Sequence, residues 1–482
     1  MIDAGYLAPF MFLSLFLLLL SGYPVAFVLG AVGLIFGLIG VWLDVIPPIL
    51  IQAVPDRLFG IMKNDTLLAI PFFTLMGLIL ERSGMAEQLL EALGRLLARV
   101  RGGLAFAVIA VGALLAATTG VVAASVMAMG LISLPVMLRQ GYSPALSSGV
   151  IMASGTLAQI LPPSLVLIVL ADTLGAPVGD MYIGAMLPSA ILIGLFALFM
   201  MTVAWVKPEL LPRTSNPPPI DWSALLWSLL PPLILIFLVL GTIFIGLATP
   251  TEAGAMGATG ALVLALLRRK LNKAALQQAL EQTARLTCFV LFILIGSSLF
   301  SLVFRALGGD LWVEHLFGQL PGGVMGFIVV VNTLIFILGM FLDFFEIVFI
   351  VVPLLVPVLH QFGLSPIWFG IIVAMNLQSS FLTPPFGFSL FYLKSVAPPS
   401  LKSRDLYRGA VPFILIQLFC VVLIVCFPQL ILKSGPEAAD PLDQQNMVSA
   451  PKGTTQREAI DLMMQIAAEY PSPPSSAQGS TP

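Results

Sequence analysis

Two carboxylates, Asp343 and Glu346, stand inside the apolar run IFILGMFLDFFEIVFIVVP. An acid at membrane depth costs about 2.5 to 3.5 kcal/mol on insertion scales, so it is a functional candidate by default. Three positions apart, the two share one helical face. They could bind sodium or a proton there; the plainer account is that they meet water at a turn or pair with a neighbouring helix. Polar groups also gather where apolar segments are interrupted. ILPPS (Ile160 to Ser164) has a partner, LTPPF (Leu382 to Phe386), 222 residues later. A Pro-Pro pair removes backbone donors and breaks a membrane helix, freeing carbonyls that hydrocarbon cannot satisfy. Ser154, Gly155 and Thr156 precede the first break, and Asn376, Gln378 and Thr383 flank the second. Their hydroxyl, amide and carbonyl oxygens suit a hard monovalent cation such as sodium. At the breaks themselves, Pro162, Pro163, Ser164, Pro384, Pro385 and Gly387 offer half-helix N-termini that favour an anionic substrate group.

Other constellations are weaker. Thr118, Thr119 and Ser125 lie in another apolar stretch, where hydroxyl bonding to the carbonyl four residues back explains them equally well. Thr249 and Glu252 flank Pro250 with the spacing of a capping box, and helix capping is the preferred account. His315 and His360 are the only histidines, without the spacing for zinc or for a nucleophile's base. Neither HExxH, GxSxG nor a Walker loop occurs. An intramembrane enzyme would need a nucleophile with His, or paired aspartates at depth, and neither is evident. Cys288, Cys420 and Cys426 fall in or beside apolar segments and read as packing residues.

The elements that must position these groups are membrane helices. Hydrophobic residues make up 59% and charged residues 10% of the chain, far from a soluble domain. Net charge is −2, which leaves no basic face for nucleic acid. With 37 prolines in 482 residues, a chance match under the offset succeeds roughly one time in thirteen. Yet Pro135, Pro144, Pro162, Pro163 and Pro177 all fall on prolines. The chain therefore reads as an all-α membrane protein, with about ten transmembrane helices and two re-entrant hairpins in two repeats with broken helices. The first repeat covers 1–211 with a hairpin at about 104–138, and the second covers 223–433 with a hairpin at about 324–359. A Pro-rich linker, 212–222, joins them, and 434–482 is polar and reads as mostly disordered. Leu7 to Leu20 reads as a retained first helix, not a signal peptide. With the N-terminus outside, sixteen of the 22 basic residues are cytoplasmic, as the positive-inside rule prefers. That topology inverts one repeat relative to the other and opens one hairpin to each side, the geometry alternating access needs. Met85 to Val100 and Gly309 to Gln319 read as amphipathic arms in the interface.

SGTLAQILPPSLVLI (Ser154 to Ile168), FLDFFEIVFIVVPLLVPVL (Phe341 to Leu359), NLQSSFLTPPFGFSLFYL (Asn376 to Leu393) and ATPTEAGAMG (Ala248 to Gly257) resemble the large membrane subunit of tripartite ATP-independent periplasmic (TRAP) transporters. The first tip, Thr118 to Val122, departs from the family's common Ser-Gly-Ser-Ser and looks like the subgroup loosely named for mannitol or chloroaromatic substrates. The resemblance implies a sodium-coupled importer of organic anions in the bacterial inner membrane, working by an elevator mechanism and needing no cofactor beyond sodium. It implies two partners, a soluble periplasmic substrate-binding protein and a small four-helix membrane subunit. Sodium would sit where each hairpin tip meets a broken helix: Thr119, Ser125, Ser154, Gly155 and Thr156 on one side, Asp343, Asn376, Gln378 and Thr383 on the other. A stand-alone ion-coupled antiporter or exporter of the same superfamily is the alternative.

Overall fold

A computed structural model of the chain describes residues 6–19, 21–212, 222–269 and 271–432. Nearly all of the 212–222 linker (213–221) and the whole 434–482 tail lie outside them. The first half gives α1 (Leu7–Leu19), α2 (Val25–Trp42), the short α3 (Ile49–Gln52) and α4 (Val54–Met62), and α5 (Ala69–Arg82). The amphipathic α6 (Met85–Leu97) leads into the hairpin arms α7 (Gly103–Thr119) and α8 (Val122–Arg139). The broken pair α9 (Pro144–Thr156) and α10 (Leu165–Leu174) follows, then α11 (Val178–Val206). The second half gives α12 (Trp222–Phe244), α13 (Pro250–Leu267), α14 (Lys273–Ala306) and the arm α15 (Gly309–Gly318). Next come the hairpin arms α16 (Gly323–Leu338) and α17 (Phe344–Gln361), the broken pair α18 (Pro366–Leu382) and α19 (Phe388–Val396), then α20 (Ser403–Cys426) and α21 (Gln429–Leu432).

Shifted by 222, α8 starts and ends on α17, α9 starts on α18, and every element from α5 to α11 overlies one from α14 to α20. Among the described residues eight helices are long and apolar enough to cross a membrane, and none of them is α9, α10, α18 or α19. The reason is the proline break, which cuts each of these crossings into two pieces shorter than a bilayer. Two of the eight, α8 and α17, are returning hairpin arms, which pass the same test by composition.

A frame forms where α5 packs along α13 and α14, and α14 along α2. Side chains fix its directions. Arg82 Nη1 at the end of α5 donates to Gln278 Oε1 near the start of α14, so these two run antiparallel. Thr251 Oγ1 at the start of α13 donates to Asp65 O just before α5, and Arg268 Nη1 donates to Gln88 Oε1 at 3.3 Å past their far ends, so those two run parallel. Small residues allow close helix approach in a membrane. A Cβ at Gly296 would lie 3.2 Å from the Ala26 carbonyl carbon, which is where α14 crosses α2. Thr249 N–H donates to Glu252 Oε2 at 2.8 Å and Glu252 N–H to Thr249 Oγ1 at 3.3 Å. The capping box starts α13 as its sequence requires.

Candidate substrate and ion site

Each hairpin lies against the broken helix of its own half. A Cβ at Gly112 of α7 would meet Ser154 Oγ at 2.6 Å, and one at Gly155 would meet Val126 Cα of α8 at 3.1 Å. In the second half, a Cβ at Gly339, just past α16, would meet Leu377 Cδ2 of α18 at 2.9 Å. Glycines therefore let each hairpin close tightly on the broken helix of its half.

At the first tip, the chain turns through Gly120, whose φ of +61° is the left-handed conformation glycine adopts freely. Thr119 Oγ1 and Ser125 Oγ lie 2.7 Å apart, and both residues are buried. Thr118 and Thr119 each donate to Leu115 O, at 3.0 and 2.9 Å. Ser154 donates to Ile151 O at 3.0 Å. These hydroxyl protons serve the local backbone, yet each oxygen keeps lone pairs that can coordinate a cation.

The second tip is built around charge. Asp343 is the N-cap of α17, and Glu346 folds back so that its Oε2 accepts the Asp343 N–H at 2.9 Å. Glu346 thus has a backbone task, as in a capping box. Asn376 does not stand free beside Asp343: its Nδ2 donates to Asn332 O at 2.6 Å and Asn332 Oδ1 at 3.1 Å. Asn332, on α16, ties the inbound hairpin arm to α18. Its place in the apolar run IVVVNTLIF was the one available signal. Thr383 caps α18 and donates to Ser379 O at 2.8 Å.

Both breaks satisfy their freed carbonyls inside the protein. Ser164 Oγ donates to Ala158 O at 2.8 Å and Gln159 O at 3.1 Å, and Ser189 Oγ reaches Ile160 O at 3.1 Å. Ser389 Oγ does the same for Phe381 O at 2.7 Å. Both Pro162-Pro163 and Pro384-Pro385 are cis. Burial separates them: Pro162, Pro163 and Ser164 are buried, while Pro385 and Phe386 are exposed and Gly387 is buried beside them. Gln159, next to the first break, is fully buried with neither side-chain polar atom bonded to another group.

The breaks also meet each other. Gln378 Nε2 of α18 donates to Thr156 Oγ1 of α9 at 3.4 Å, between residues 222 apart. Equivalent residues of two repeats can touch only near the axis relating them, so both breaks approach a common centre. Gln417 of α20 donates to the same hydroxyl at 3.2 Å.

A duplicated set of membrane helices, each half carrying a hairpin over a broken crossing, defines a secondary-transporter architecture. The sequence then settles which one: residues 12–430 match the family described as tripartite ATP-independent periplasmic transporter, DctM component, and the chain belongs to that family. It is a transporter of the bacterial inner membrane and not an enzyme. The chain is 31% identical over 380 residues to the C4-dicarboxylate TRAP transporter large permease protein DctM of Pseudomonas aeruginosa, covering 78% of this chain and 88% of that one. It is 28% identical over 397 residues to the 2,3-diketo-L-gulonate TRAP transporter large permease protein YiaN of Escherichia coli, covering 81% and 91%. The crystal structure of the Alcanivorax borkumensis YdaH transporter is similar in fold, with a TM-score of 0.54 at 18% identity over 80% of this chain and 90% of that one.

Proposed function

We propose that this chain is the large membrane subunit of a sodium-coupled importer of a small organic carboxylate. A periplasmic binding protein delivers the substrate, and a small four-helix membrane subunit completes the frame. The observation that carries the reading is the meeting of the two breaks at Thr156 and Gln378: one central site bounded by neutral oxygens and half-helix N-termini suits a carboxylate with sodium counter-ions. Both relatives above are named for carboxylates, which supports that substrate class. The uncharged tip Thr118 to Val122 supports the mannitol- or chloroaromatic-like subgroup, a label that does not name the ligand.

The hairpins support an elevator movement. The first tip rests on α5, where a Cβ at Gly77 would lie 2.6 Å from Thr118 O. Under the offset Gly77 corresponds to Leu299 of α14. The second tip instead meets α14 at Phe289, with Phe345 edge-on at 6.4 Å. That is about ten residues nearer the end of α14 that lies beside Arg82, roughly 15 Å at about 1.5 Å per residue. Glu346 accordingly lines a cavity with Arg285, Phe292 and the Gly22–Phe27 segment, which the proposed topology places on the cytoplasmic side. Both hairpins are displaced the same way along the frame, which reads as inward-facing. Exchanging the roles of the repeats gives the outward-facing state, with the first tip near Leu67 and the second near Leu299.

The test is reconstitution of the complete three-component system in proteoliposomes, with succinate as first substrate. Uptake that requires both an inward sodium gradient and the binding protein is the expected result. Uptake without the binding protein would favour the stand-alone alternative, and uptake indifferent to sodium would overturn the coupling.

A further inference from the structure

Thr156 hydroxyl has one proton and two lone pairs. Its proton goes to Ala153 O at 2.9 Å, so it can only accept from Gln378 and Gln417, at 3.4 and 3.2 Å. That accounting also fixes both amides with nitrogen toward Thr156. Their carbonyl oxygens, Gln378 Oε1 and Gln417 Oε1, are buried and without a partner. All three residues are essentially inaccessible, with Gln417 at 1% exposure. Buried unpaired acceptors are costly and few in folded proteins, which marks this junction for a role besides packing.

The Thr156 hydroxyl is saturated, which makes it a bridge between helices. Ser154 and Gly155 are in the same helical turn and face the first hairpin. Gln378 is half a turn from Asn376, which ties the second hairpin arm to α18. Any cation that pulls on the Ser154–Thr156 turn is therefore felt in α18 through one hydroxyl. Gln417 comes from a third helix, the α20 that packs on both α9 and α18, and holds that hydroxyl in place.

Resting on the sodium-coupled reading above, we infer that Gln417 is a positioning residue that couples the two ion sites by holding Thr156 against Gln378. The two sites then fill cooperatively, because occupying one pre-orders the turn the other needs.

The experiment is the sodium activation curve of substrate uptake by the reconstituted complex. Wild type is expected to show a Hill coefficient of about 2, and Gln417→Met, which keeps volume but loses the donor, about 1. Thr156→Val should do the same, and Thr156→Ser, which keeps the hydroxyl, should restore the wild-type value. In a double-mutant cycle, Gln417→Met should add little on top of Thr156→Val. Should Gln417→Met fail to insert, the Thr156→Val and Thr156→Ser pair decides alone. A wild-type coefficient of 1, a wild-type coefficient retained in Gln417→Met or Thr156→Val, or a loss in Thr156→Ser equal to that in Thr156→Val overturns the inference while leaving sodium coupling intact. Uptake by wild type that ignores sodium overturns the coupled reading itself, and this inference with it.

Discussion

The two hairpin tips are built on one backbone plan and carry opposite chemistry. Helices α8 and α17 start and end at matching positions, and both N-caps are extended, Val121 with ψ 119° and Asp343 with ψ 162°. In the first tip a hydroxyl pair, Thr119 and Ser125, flanks an apolar cap residue in the chain, Val121. In the second, Asp343 takes the cap position and Glu346 folds back on it. Duplication preserved the path of the chain, and substitution separated the roles: a neutral tip against Gly77, and a charged tip beside Phe289 of the opposite frame helix. A formal charge near a cation site outweighs a hydroxyl dipole, so the second tip should dominate sodium affinity and the first should set how tightly the hairpin closes.

The largest expected effect follows from that charge. Asp343→Asn keeps the side-chain size and removes the charge, and the half-saturating sodium concentration for uptake should rise about tenfold, or about 1.4 kcal/mol. A smaller but distinct effect is expected at the neutral tip's seat. Gly77→Val would place side-chain atoms where Thr118 O now lies, disfavouring this conformation. Labelling of a cysteine at the exposed Phe386 from the cytoplasmic side should fall several-fold, and an unchanged labelling rate would remove the seat from the comparison. Next, Thr119→Val deletes one candidate oxygen ligand, and a sodium half-saturation raised about threefold is expected from one lost neutral hydrogen-bonding group. Smallest of all is Glu346→Gln: the amide oxygen can still accept the Asp343 N–H, as Gln does in capping boxes. A shift below about twofold is expected, and a shift matching Asp343→Asn would show that the second tip binds through both acids.

Much of this contrast was legible in the sequence because it is local or periodic. Paired prolines, their common offset, and Asp343 within an apolar run are all visible without coordinates, as is the Thr249–Glu252 cap. What escaped were partners distant in the chain. Gln417 reads only as one polar residue in FILIQLFCVV, and its partner is 261 positions away. Asn332 and Asn376 are 44 apart on different helices, and no spacing rule joins them. Glu346 was readable as an intramembrane acid but not as a cap, because the capping signature begins at a tip whose turn the apolar run conceals. The Thr156 hydroxyl has its lone pairs taken by Gln378 and Gln417, residues that only the fold brings near.

Cross-linking tests the comparison most directly. In a background lacking Cys288, Cys420 and Cys426, cysteine pairs are placed at Phe289 and Phe345, which meet in this structure, and at Leu299 and Phe341, which the exchanged-repeat state brings together. In membranes, both pairs are expected to cross-link, each trapping the transporter in one state and abolishing uptake reversibly on reduction. If Phe289 with Phe345 is the only pair to form while the same membranes carry out sodium-driven uptake, the second tip does not travel along α14, and the account of two hairpins moving together on one frame is wrong.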